Sequence, residues 1–195
     1  MRSPGDLSDA ALAISARQGD QAAFGHIMRK HKGWLYQFIR RYVGDRDDAY
    51  DVLQESFVSA WGALARFDPE RPFEAWLRRI ALNKCRDRAR RNTVKRAAHA
   101  VLAWTGQQAE ATARVPDHGA QDQALKRLET AIQELPRALK EPLVLTMLEG
   151  LSHKEAGELL KLNAKAIETR VYRAKKQLAT KLDPSDLKDI AGSGE

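Results

Sequence analysis

One cysteine, Cys85, among 195 residues rules out an internal disulfide and points to a reducing compartment. The five histidines and that single thiol show no spacing suited to a zinc site, so neither a metal nor a cofactor is expected. No uncharged apolar run approaches the ~20 residues a helix needs to cross a bilayer. The first residues also lack a basic region followed by a short apolar stretch. The expectation is a cytoplasmic protein that does not insert into membranes. No period-two alternation and no internal repeat stands out, which leaves helices as the regular structure in view.

Bases outnumber acids, 33 to 26, giving a formal charge of +7 and a pI near 9.6. Such a balance favours polyanionic partners, nucleic acid or an anionic membrane surface, without choosing between them. With 43% hydrophobic and 30% charged residues in 21.9 kDa, the chain has apolar material for one ordinary core or two small ones.

Along the chain, Leu7 to Arg17 suits a short helix capped by Ser8, with Gly19 ending it and Asp20 capping the next. Phe24, Ile27, Met28, His31, Trp34, Leu35, Phe38, Ile39 and Tyr42 follow the three-or-four spacing of an amphipathic helix that stops at Gly44. His31, the one polar member of that stripe, reads as a packed or surface histidine, not a ligand. A third helix, from about Asp47 to Leu64, buries Leu53, Phe57, Ala60, Trp61 and Leu64 and turns Asp48, Asp51 and Glu55 the other way, with Val58 near the acids. After the turn from Phe67 to Pro72, a helix to about Arg91 completes a bundle with Phe73, Trp76, Leu77 and Ile80 as core candidates. Residues 97–120 lose periodicity and contain the breaker run Pro116 to Gly119, which reads as a linker. Trp104 within it either docks transiently or stays solvated. Beyond it come a stripe of Leu125, Leu128, Ile132 and Leu135, an element from Leu139 to Leu148 with Pro142 in its first turn, and two short helices, Ser152 to Leu160 and Ala164 to Leu182. The tail from Pro184 should fray. The reading is all-α: two small helical domains, 1–96 and 121–183, joined by a flexible linker at 97–120 and followed by a polar tail at 184–195.

Chemistry concentrates in three places. Ser152 and Glu155 form a capping box opening a helix that carries Ala156 and Gly157, and a short turn follows, the outline of a helix-turn-helix. On the second helix Ile167, Val171, Ala174 and Leu178 share one face, while Lys165, Thr169, Tyr172, Arg173 and Lys176 share the other. That face suits the major groove, with Lys165, Thr169 and Arg173 as candidate readers. Glu168, at its flank, either accepts from cytosine N4 or pairs with Lys165 and restrains it. Second, Arg79, Asn83, Arg86 and Arg90 step by four, three and four residues and form one stripe, a base-competent amide inside a row of cations. With Phe67 as a stacking ring just before the turn, the set suits an exposed base in opened DNA; the plainer alternative makes Phe67 core and the arginines a solvated face. Third, Asp48, Asp51 and Glu55 lack a second carboxylate cluster or a histidine partner, so a protein-binding surface is favoured over a metal site.

These residues resemble the extracytoplasmic-function group of sigma-seventy-type factors, which retain only the second and fourth conserved regions. The likeness in region two rests on Gly19 and Asp20 with Ala23 and Phe24, on Asp51 to Phe57 with Ala60 and Trp61, and on Phe73 to Asn83. In region four it rests on Leu135 and Pro136, Leu143 to Leu148, Gly150 to Ser152, Glu155 and Ala156, and Thr169 to Ala174 leading to Leu178. Two departures concern sequence preference: Glu168 stands where the family often has Lys or Arg, and the turn from Asp68 to Pro72 is richer in proline than many members'.

The resemblance implies a non-enzymatic specificity subunit of RNA polymerase. Asp51, Gln54 and Glu55, with Asp48 and Val58 beside them, would grip the clamp helices of the largest polymerase subunit. The turn beginning at Phe67, together with Asn83, would form the pocket for a base flipped from the minus-ten element, with the cations Arg79, Arg86 and Arg90 of the same stripe beside it for the phosphates. Lys165, Glu168, Thr169, Arg170, Tyr172, Arg173 and Lys176 would meet the minus-thirty-five element. An anti-sigma protein is the expected further partner. Two rivals stand beside this reading. A helix-turn-helix repressor or activator leaves the acidic helix unemployed, and a metal-dependent nucleic-acid enzyme needs the acids as ligands.

Overall fold

The computed structural model describes residues 8–104 and 120–182, and every regular element among them is helical. Leu7, the run Pro116 to Gly119, the tail from Pro184 and the side chain of Trp104 lie outside the described residues. Two compact units divide between Ala89 and Arg90.

In the first unit, α1 (Asp9–Arg17) starts where the Ser8 hydroxyl accepts from the Ala11 N–H, and α2 (Gln21–Val43) where Asp20 accepts from Ala23. The chain reverses between them at Gly19, whose φ of 101° suits a residue without a Cβ. Asp45 caps α3 (Arg46–Ala63), one turn of 3₁₀ helix over Leu64–Arg66 follows, and α4 begins at Phe73. Ile27, Leu35, Phe38 and Ile39 of α2 are sealed from solvent with Val52 and Ala60 of α3 and Leu77 and Ala81 of α4. Each larger apolar side chain among them contributes about 1.5–3 kcal/mol by leaving water. Buried Ser56 gives its proton to the Val52 carbonyl at 2.6 Å, so the α2–α3 seam carries no orphan hydroxyl.

His31 is core, 1% exposed. Its Nδ1 accepts from the Trp34 indole at 2.8 Å, and its Nε2 stands 3.2 Å from Asp9 Oδ2, close enough for attraction though outside good hydrogen-bond geometry. The imidazole thereby ties α1 to α2, and its ring lies 5.4 Å from that of Phe73 at the start of α4.

Three expectations for this unit change. Met28 and Trp61 are partly exposed, because periodicity gives the direction of a stripe but not its width; the Trp61 ring rests edge-on against Phe24 at 4.9 Å. Trp76 and Ile80 are only half-buried. And α4 runs Phe73–Trp104, past Arg91 and into the stretch read as linker. Residues 88–104 lose the apolar period yet contain no glycine or proline and are rich in Ala and Arg, whose intrinsic preference sustains a helix without a stripe.

The second unit contains α5 (Ala120–Gln133), α6 (Arg137–Leu143), α7 (His153–Leu160) and α8 (Ala164–Ala179). On α5, Ala124, Ala131, Ile132 and Leu135 just beyond are buried while Leu125 is exposed: the stripe starts on a small residue that hydropathy passes over. Pro136 caps α6, so Pro142 falls in its second turn, not its first. Lacking an N–H, Pro142 leaves the α ladder incomplete, and the helix widens into a π turn over Val144–Leu148 in which Glu149 donates to Val144. The Thr146 hydroxyl donates to the Pro142 carbonyl at 2.8 Å within that turn.

Candidate functional site

The helix-turn-helix is built by local chemistry. Ser152 accepts from the Glu155 N–H at 3.2 Å, and the Glu155 carboxylate accepts from the Ser152 N–H at 2.8 Å, so two donors at the start of α7 are satisfied reciprocally. The helix ends at Lys161 in the left-handed conformation, φ 58°, where the Leu162 N–H turns back to the Gly157 carbonyl at 2.8 Å. Asn163 then caps α8 through Ala166 at 2.7 Å. Gly157 makes so tight a turn possible, because a Cβ there would stand 2.5 Å from the Leu162 carbonyl oxygen.

Packing fixes the outer face of α8. Ile167, Val171, Ala174 and Leu178 are buried, so Lys165, Glu168, Thr169, Tyr172, Arg173 and Lys176 stand outward, Tyr172 being 68% exposed; Arg170 is half-buried. The Thr169 hydroxyl donates to the Lys165 carbonyl at 2.9 Å. Lys165 Nζ meets Glu168 Oε2 at 2.9 Å, and that hydrogen bond, with the ammonium charge behind it, holds the Glu168 carboxyl below its ordinary range. Of the two readings for Glu168, the restraining pair is the one formed in the structure.

Arg79, Asn83 and Arg90 stand exposed along α4 with Arg86 half-buried between them. Arg86 Nη1 donates to the Asn83 side-chain oxygen at 3.1 Å, so the amide and a cation of this stripe are already oriented against each other. Phe67 is the correction. Its ring is 5% exposed and packs against Phe73 at 5.2 Å and Trp76 at 5.1 Å. Burying an aromatic ring in this cluster outweighs leaving it in water, so Phe67 anchors the turn from beneath instead of offering a stacking face. The turn itself is closed by the Arg71 N–H donating to the Asp68 carbonyl at 3.1 Å, while the Asp68 carboxylate accepts from the Glu70 N–H at 3.1 Å.

On α3, Gln54 and Val58 are exposed, Val58 at 72%, next to Asp51 and half-buried Asp48 and Glu55. Sequence reasoning missed the group that gathers these acids. Arg88 of α4 brings Nη1 to 2.9 Å from Asp48 Oδ1 and Nη2 to 3.0 Å from Asp51 Oδ2 and 3.7 Å from Glu55 Oε1. Burial works against the charge of Arg88, but the Asp51 bond and the three negative neighbours outweigh it and hold the guanidinium above its usual range. A signal was present: Leu77, Ala81, Cys85 and Arg88 step by four, four and three, so an arginine stands where the inward stripe of α4 calls for an apolar residue.

Known proteins match along the chain. The sequence profile of Sigma-70 region 2 covers residues 27–94, and that of Sigma-70, region 4 covers residues 125–178. RNA polymerase sigma factor NccH of Alcaligenes xylosoxydans xylosoxydans is 39% identical over 185 residues, 92% of this chain and 97% of the relative. ECF RNA polymerase sigma factor SigW of Bacillus subtilis is 31% identical over 172 residues, 85% and 92% of the two chains. Among solved structures, CnrH in complex with the cytosolic domain of CnrY superposes with a TM-score of 0.63 at 35% identity, over 88% of this chain and 95% of that one.

Proposed function

Since this chain belongs to the extracytoplasmic-function group of the sigma-70 family of RNA polymerase sigma factors, we propose that its three described surfaces divide the work of initiation among them. The protein binds core RNA polymerase, recognises the minus-ten and minus-thirty-five promoter elements and stabilises melted DNA. In our reading Asp48, Asp51, Gln54, Glu55 and Val58 on α3 form the polymerase-docking surface. Arg79, Asn83, Arg86 and Arg90 on α4 hold the separated strand, with Phe67 supporting the turn beside them. The outward face of α8, from Lys165 to Lys176, lies in the major groove at the upstream element.

The carrying observation is that acids and cations occupy distinct faces: α3 presents carboxylates beside an exposed apolar Val58, whereas the exposed stripe of α4 is cationic around one amide. Phosphates attract the second face and repel the first. A base leaving its stack costs a few kcal/mol, offset by contacts to its pairing edge and by counterions released from the backbone. Melting is thus stabilised by binding, and no bond is made or broken; the reading is of a cytoplasmic, non-enzymatic subunit. Residues 1–96 and 121–183 act as the two functional domains; with α4 continuing to Trp104, about fifteen residues between it and α5 at ~3.3 Å each can span on the order of 50 Å when extended. Because the similar CnrH was solved with the cytosolic domain of CnrY, an anti-sigma partner that covers one or more of these surfaces belongs to the proposal.

Run-off transcription with purified core polymerase on a promoter library tests the whole. Defined start sites that depend on this protein are expected. Transcription indifferent to its addition would refute the reading.

A further inference from the structure

Arg88 belongs to none of the three residue sets above, yet it contacts every acid in one of them. Its side chain is 13% exposed, and the carboxylates around it grade outward: Asp48 at 21%, Glu55 at 34% and Asp51 at 60%. Asp48, Asp51 and Glu55 sit one helical turn apart along α3, a spacing at which like charges push one another away and the side chains fan out. A planar guanidinium can present two N–H arms to different carboxylates at once, which a point-charged ammonium cannot do with the same geometry.

We propose that Arg88 is a positioning residue for polymerase docking: it draws Asp51 and Glu55 side by side on the outward face of α3 and anchors them to Asp48 beneath, so that a partner surface carrying basic side chains meets a preassembled pair of carboxylates. The proposal rests on the assignment of Asp51 and Glu55 to docking. Arg88 itself touches no partner in this scheme. Its fork holds Asp51 and Glu55 by one nitrogen and Asp48 by the other, and the stem reaches them from the inward stripe of α4.

The test uses the full chain and purified core polymerase, with affinity measured at several salt concentrations well below the melting temperature. Binding of a single-stranded oligonucleotide bearing a minus-ten sequence serves as the control for an intact α4. Arg88→Met keeps the stem and loses the fork; although it leaves the face one charge more acidic, it is expected to weaken polymerase binding about tenfold at every salt concentration, with oligonucleotide binding unchanged. Arg88→Lys keeps the charge and loses the second arm, and is expected to restore only part of the affinity; it decides the matter should the methionine variant not fold. In the Asp51→Asn, Arg88→Met pair the two losses should fall well short of multiplying, because both remove the same preassembled carboxylate. Polymerase affinity within twofold of the parent for a folded Arg88→Met or Arg88→Lys protein, while Asp51→Asn is weakened, would overturn the role of Arg88 and leave the docking surface standing. Undiminished binding by both Asp51→Asn and Glu55→Gln would instead remove the docking assignment, and the role of Arg88 with it.

Discussion

Gly157 and Leu162 approach so closely that a methyl group on the first would stand 2.5 Å from the carbonyl oxygen of the second. The obstacle is backbone, held by the return of the Leu162 N–H to Gly157, so it cannot swing aside as a side chain would. Gly157→Ala is therefore expected to destabilise the second unit by about 1–3 kcal/mol, more than the helix preference of alanine returns. Chemical denaturation followed by circular dichroism measures it, and an unchanged or higher midpoint would show that the turn relaxes freely.

Asn83→Ala should impair promoter opening far more than polymerase binding. The residue contributes an amide beside Arg86 on the α4 stripe, on a face separate from the acids of α3. Loss of one good base contact corresponds to about 1–3 kcal/mol. Permanganate reactivity of unpaired thymines set against core-binding affinity separates the two steps, and equal loss in both would remove the assigned role.

On α8 the expectations for two neighbours run in opposite directions. Arg173→Ala should weaken binding to the upstream element by about 1–3 kcal/mol. Glu168→Gln should tighten it about threefold or more, because Lys165 is released from its 2.9 Å pair and a negative charge leaves the outward face of α8. Footprinting on a set of upstream sequences checks both; a change of preferred base at one position in the Glu168 variant would mean that the carboxylate reads sequence directly.

Asp9 gives the first unit a component of acid sensitivity. Burial alone would raise its carboxyl, but the hydrogen bond from Lys30 at 2.7 Å and the neighbouring His31 outweigh burial and hold the group below its ordinary value. A carboxyl whose folded value is depressed stabilises the fold above its unfolded value, about 3.9, and that contribution disappears as pH falls through the lower folded value. Asp9→Asn should cost about 1 kcal/mol near neutrality and show a flatter loss of stability below about pH 4. Urea midpoints across that range test it, and parallel curves for parent and variant would rule the linkage out.

Ser8, Asp20 and Ser152 are legible as helix starts because a cap is a local event: one oxygen and an N–H three residues on decide it. The outward and inward faces of α8 follow from the 3.6-residue period for the same reason. What sequence reading missed depends on neighbours distant in the chain or on weak preferences summed over many residues. Phe67 reads as a stacking ring, with core as the alternative, until Phe73 and Trp76 close around it. Arg88 reads as one more base in a basic helix, although its partners lie 40, 37 and 33 positions earlier on α3. The extension of α4 to Trp104 reflects propensity without periodicity, and Leu125 reads as buried because a leucine is conspicuous where Ala124 is not.

The widened turn at Val144–Leu148 works as a spacer in the winding of the chain. One added residue in a helical turn advances the remaining backbone by about 100°, and here it carries Met147 and Leu148 to the surface after Val144 and Leu145 have faced inward. Excising a single residue from this turn would rewind the ladder to its ordinary pitch and re-aim everything downstream, α8 included. The bearing of α8 is thus set in part by a turn well upstream of it in the chain.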